Sequence, residues 1–128
     1  MSRFPHAPFW RTLALAFVTA TAVASAAAKP KYTIKKVMKD AIKGHSALVK
    51  KACKGTATKE ELAAMVEYFK ALCDAKPPKG GLDSWQEKTG ALYHAALAIQ
   101  KDPQNRELSH RLEQAVECRQ CHNPHKPQ

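Results

Sequence analysis

The stretch Thr58–Cys73, TKEELAAMVEYFKALC, places Leu62, Met65, Val66, Phe69, Leu72 and Cys73 at steps of three and four residues. That spacing lines one face of an α-helix. Thr58 followed by Glu61 forms a capping box that starts it. Downstream, Pro77-Pro78-Lys79-Gly80-Gly81 stops the helix and makes the main linker. Ser84 with Glu87 reads as a second capping box, opening a helix whose face is Trp85, Thr89, Leu92, Ala96 and Ile99. Asp102-Pro103 supplies a cap and a first-turn proline for another helix, with Leu108, Leu112, Ala115 and Val116 leading to His122. Upstream, Ile34, Val37, Met38, Ala41, Ile42, Leu48, Val49 and Ala52 predict one helix from Thr33 to Cys53, ended by Gly55. No segment alternates with period two, so no sheet is expected. Four helices of about 15–20 residues with short connections predict an all-α, up-down-up-down four-helix bundle.

Composition agrees with this. A chain of 128 residues supports one small domain, and 45% hydrophobic with 25% charged residues excludes a disordered tail. Aromatics at 7% and only 5 glycines favour helix over a β-sandwich. The formal charge is +10, and residues 1–28 account for part of it. Arg3 and Arg11 precede an apolar run from Thr12 to Val23, followed by small-residue cleavage sites after Ala26 and Ala28. This predicts a secretory signal peptide over 1–28, leaving 29–128 as the mature domain. The run is too short to span a bilayer, for which about 20 apolar residues are needed. The mature chain keeps nineteen Lys and Arg against eleven Asp and Glu, a net +8. No basic run is interleaved with aromatics, so no nucleic-acid partner is expected. The lysines read as solvated helix faces, with a share left for steering an acidic protein or a membrane surface.

Chemistry concentrates at the C-terminus, in Cys118-Arg119-Gln120-Cys121-His122. C-x-x-C-H is the attachment signature of c-type haem. Two thiols must add to the two vinyl groups of one porphyrin, and the adjacent imidazole must reach the iron as proximal ligand. Three other readings compete. A thioredoxin-like C-x-x-C pair needs a βαβ fold, which is not expected here. A zinc site could draw on Cys118, Cys121, His122 and His125, although adjacent Cys121 and His122 fit one tetrahedron poorly. A structural disulfide is the third.

A signal peptide, four helices and a single C-x-x-C-H in the last of them resemble the class II c-type cytochromes, meaning cytochrome c′ and its low-spin relatives. The resemblance covers Lys31 to Gln128 and rests on Cys118, Cys121, His122, Lys126 and Met38. In that family a basic residue follows the proximal histidine at the spacing of Lys126. An aromatic often precedes it, where this chain has His125. In the bundle topology the haem end gathers Ile34–Ile42, Phe69–Cys73 and Trp85–Thr89. In the low-spin members a first-helix methionine completes the iron's coordination, which implies Met38 as sixth ligand, and Trp85 would wall the haem. Cytochrome c′ instead leaves the iron five-coordinate beneath an apolar side chain, and a methionine there can also be core filler.

The remaining residues are assigned more simply. His45 lies about 10 Å along the helix from Met38, too deep for the same iron, and is expected to be packed and hydrogen-bonded. His94 and His110 read as surface residues, and His6 leaves with the signal. Cys53 and Cys73 stand roughly 22 Å apart in this topology, so no disulfide between them is expected. Cys73, at the haem end, is a minor candidate for a distal ligand. The sequence thus predicts an exported, periplasmic electron carrier with one covalent haem c, and not an enzyme. Its expected partner is a redox protein docked transiently and partly by charge; the resemblance also implies a possible homodimer. The alternatives are a five-coordinate protein binding nitric oxide or carbon monoxide, and a haem-free helical binding protein.

Overall fold

The computed structural model describes residues 29–128, so the expected signal segment, its two cleavage sites and His6 lie outside the described residues. Those described are helical, with no strand among them: α1 (Ile34–Val37), α2 (Leu48–Cys53), α3 (Lys59–Asp74), α4 (Leu82–Lys101), α5 (Arg106–Ala115) and α6 (Cys118–His125). A π-helical turn, Met38–Ile42, continues α1. None of these helices is long and apolar enough to cross a membrane.

The central pair is the part the sequence states most clearly. Thr58 Oγ1 accepts from the Glu61 amide at 3.1 Å, and the Glu61 carboxylate accepts from the Thr58 amide at 3.0 Å. Lys51 bonds the same carboxylate from α2. Lys51 and then the Thr58 amide hold the Glu61 carboxyl below its ordinary value of 4.5. Their contribution is therefore complete above that value and fades as pH falls through the lower folded one. Thr58→Ala removes the cap and is expected to cost about 1 kcal/mol, read as a melting temperature lower by about 4–8 °C. α3 buries Leu62, Met65, Val66, Phe69, Ala71 and Leu72 against Trp85, Thr89, Leu92, Ala96 and Ile99 of α4. The chain reverses between them, since Trp85 Nε1–H near the start of α4 donates to the Leu72 carbonyl near the end of α3 at 2.9 Å. No buried side-chain polar atom among the described residues lacks a partner.

The outer helices depart from the sequence reading. The single helix expected over Thr33–Cys53 is two helices with a break. After the π turn, residues 43–47 leave the helix through Gly44, whose φ of 93° is open to glycine at little cost. His45 is consequently exposed in the break and not packed in a core. α2 ends in a Schellman motif, with Gly55 at φ 70°, Gly55 N–H bonded to Ala52 O and Thr56 N–H to Lys51 O. The last expected helix is also two, because Glu117 leaves the helical conformation at ψ 116° and α6 starts afresh after it.

Two of the expected caps are replaced as well. α4 begins at Leu82 with Gly81 as its cap, and Ser84 turns its hydroxyl to His125 instead. Asn105, and not Asp102, caps α5, accepting from the Glu107 and Leu108 amides.

Candidate functional site

The breaks in the outer helices bring the motif residues to one end of the molecule. α1 packs on α3, the π turn packs on α2, α2 packs on α3 and α5, and α6 rests on α4. α1 and its π turn, the α3–α4 linker, the start of α4 and α6 then enclose a cleft of about 230 Å³. Ile34, Met38, Pro78, Trp85, Cys121 and His122 line it, with Lys35, Lys43 and Lys126 among the residues at its rim. A second hollow of about 40 Å³ shares Met38, Lys43, Cys121 and His122 and adds Ile42, Leu72, Leu92, Val116 and Cys118. All six residues singled out in the sequence (Cys118, Cys121, His122, Met38, Trp85 and Lys126) therefore border one continuous region.

Burial grades across this region. Trp85 is 2% exposed and fixed by its bond to Leu72 O. Met38, Cys121 and His122 are half-buried, whereas Cys118 and Lys126 are exposed. Burial pushes the Cys121 thiol above its ordinary value, with Lys88 pulling the other way. Cys73 does not border the cleft, because α3 turns Leu72 toward it and Cys73 aside; that removes Cys73 as a distal candidate. Cys53, at the end of α2, has its Sγ 3.8 Å from Ser109 O of α5, and burial pushes its thiol up to about 11. No disulfide joins any of the four cysteines, as expected for Cys53 and Cys73. His94 and His110 are exposed, also as expected.

His125 is the residue whose part the sequence left open. It is 2% exposed, and both ring nitrogens are engaged. Nδ1–H donates to the Lys79 carbonyl at 2.8 Å, since a carbonyl can only accept. Nε2 pairs with Ser84 Oγ at 3.1 Å, and the ring meets Trp85 edge-on at 5.3 Å. Gly80 lets the loop approach this closely: its φ is 80°, and a Cβ there would sit 2.6 Å from Pro124 O and 2.9 Å from His125 Nδ1. One imidazole thus ties the end of α6 to the α3–α4 linker and to the first turn of α4.

That arrangement bears on the competing readings. With both nitrogens of His125 committed, the four-donor zinc set loses a member. No group of three or more His, Cys, Asp and Glu side chains is placed to hold a metal among the described residues. Cys118 and Cys121 are unbridged, and no strand is present among the described residues for a thioredoxin-like site. The donor set suits a haem better. It offers two thiols on one helix, an imidazole beside the second, a thioether from another element, and walls of Ile34, Leu72, Trp85, Leu92 and Val116. The cleft is smaller than the roughly 300–1,000 Å³ of enclosing ligand pockets, so a haem there would be only partly enclosed. A larger surface groove of about 660 Å³ lies between α4 and α5, but no cysteine borders it. No family model, curated protein or solved structure matches this chain.

Proposed function

We propose that this chain is an exported monohaem c-type cytochrome that carries electrons and is not an enzyme. The observation that carries this reading is the meeting of Cys121, His122 and Met38 at one apolar cleft, from elements about 80 residues apart in sequence. Cys118 and Cys121 would hold haem c covalently, His122 would be the proximal ligand and Met38 the sixth. When bound, the haem supplies an iron that alternates between ferric and ferrous, and a His/Met ligand pair raises its potential.

The chain's own residues do the rest. Trp85 and the aliphatic walls exclude water from one side. Ligands held on packed helices keep their places in both redox states, which favours fast exchange. Lys35, Lys43 and Lys126 surround the opening and supply positive charge where an acidic redox partner would dock transiently. Counting α1 with α2 and α5 with α6 as one rod each gives four rods, and the reversal between α3 and α4 suits an up-down-up-down bundle. Residues 1–28 fit this role as a signal peptide directing export to the compartment where haem is attached.

The test is the absorption spectrum of the matured protein, ferric and ferrous, with and without carbon monoxide. The expected result is a low-spin spectrum with a weak near-red sulfur-to-iron band that carbon monoxide leaves in place. A high-spin spectrum that shifts at once on adding carbon monoxide would assign Met38 to packing and move gas binding to first place.

A further inference from the structure

The π turn that presents Met38 is held to α3 by a polar clamp, and we propose that Tyr68 and Asp40 are positioning residues for the Met38 thioether. The inference rests on the reading of Met38 as an axial ligand.

The turn itself is unusual in its bonding. Lys43 N–H reaches back five residues to Met38 O at 2.8 Å. Such turns are rare, and they are frequent at functional sites. They spend backbone geometry to re-aim side chains, so something outside the turn must hold them. Here Asp40, in the middle of the turn, accepts from the Tyr68 hydroxyl of α3 at 3.1 Å and from Lys36 Nζ at 2.7 Å on the same oxygen.

Tyr68 is itself held. Its ring lies against Tyr32, with centroids 4.5 Å apart, and Lys31 bridges from beside Tyr32 to Glu67. The apolar side of the same segment, Val37 and Ala41, is wholly buried. Burial alone fixes the depth of the segment but leaves a slide or rotation of the turn open. The Tyr68–Asp40 bond opposes that motion, and Met38 and Ile42 then line the cleft. Loss of a hydrogen bond to a charged group shifts a local two-state balance by about tenfold or more.

The experiment compares the mature haem-loaded protein with Tyr68→Phe, which deletes only the hydroxyl, and with Asp40→Asn. Tyr93→Phe serves as a tyrosine control on α4. Two readouts are taken: the rate at which carbon monoxide binds the ferrous protein, which requires Met38 to leave, and hydrogen exchange of the Lys43 amide in the haem-free chain. Tyr68→Phe and Asp40→Asn are expected to raise both about tenfold, with the near-red band weakened and the control unchanged. A band of full intensity with unchanged rates in both variants would overturn the clamp and leave the parent reading standing. A wild-type spectrum without that band would overturn the parent reading, and the inference with it.

Discussion

Met38→Ala is expected to open the iron: the matured ferrous variant binds carbon monoxide roughly 100-fold faster than the wild type, and the near-red band disappears. The factor corresponds to about 2.7 kcal/mol of axial bonding that must otherwise be broken before the gas can enter. Three observations confine the effect to the site. Met38 is half-buried and borders both parts of the cleft, so removing its side chain enlarges a hollow that is already open. Its carbonyl, which closes the π turn onto Lys43, is unaffected by the substitution. The neighbouring Val37 and Ala41 continue to anchor the segment in the core. Helix content by circular dichroism should therefore remain unchanged while ligand binding changes by two orders of magnitude. Stopped-flow mixing with carbon monoxide checks this, and equal rates in the two proteins would remove Met38 from the coordination sphere.

The largest expected stability loss belongs to His125. His125→Ala deletes a buried ring, removes its bonds to the Lys79 carbonyl and the Ser84 hydroxyl, and leaves a void beside Trp85. Truncating a buried aromatic side chain costs about 3–5 kcal/mol, and the lost hydrogen bonds are part of the change. A loss of about 4 kcal/mol is expected, measured by urea unfolding of the haem-free chain. His125→Phe separates the two contributions, since it keeps the ring and loses only the two bonds. Its expected cost is about 1–2 kcal/mol. Identical losses in both variants would mean that hydrogen bonding, and not packing, dominates the strut. A loss under about 1 kcal/mol in His125→Ala would mean that α6 is not tied down as described.

Much of this was legible in the sequence, and the parts that were not have physical reasons. The faces of α3 and α4 could be read almost residue for residue because both helices are long, amphipathic and packed against each other, so periodicity and burial coincide. Trp85, Thr89, Leu92, Ala96 and Ile99 form the buried face of α4 as expected. The outer helices failed as single rods because an apolar stripe can continue in space across a break in the chain. Ile42 and Leu48 both pack against the core, yet Lys43-Gly44-His45-Ser46 between them is a run of polar residues and glycine that no buried helix turn accommodates. That run was the available sign, and it also accounts for the exposure of His45.

Capping motifs misled for a different reason. Ser84 and Glu87 have the spacing of a capping box, but a serine hydroxyl bonds whichever partner the tertiary fold delivers, and here that is His125 from 41 residues away. The part of His125 itself depends on Lys79, Gly80 and Ser84 coming together, which no local pattern encodes. Met38, Trp85, Cys121 and His122 could be grouped because chain reversal places α1, the start of α4 and the C-terminal helix at one end. Lys43 could not, since its place at the rim follows from the break after the π turn.

Covalent haem at Cys118 and Cys121 would be read from the intact mass of the denatured chain after expression with a cytochrome maturation system. The expected mass is that of a polypeptide beginning at Ala27 or Lys29 plus one haem, with only Cys53 and Cys73 left to react with a thiol reagent. Cys118→Ser combined with Cys121→Ser should return the bare polypeptide. A wild-type chain of bare polypeptide mass, with all four thiols titrating, would contradict the account and leave a haem-free helical protein in its place.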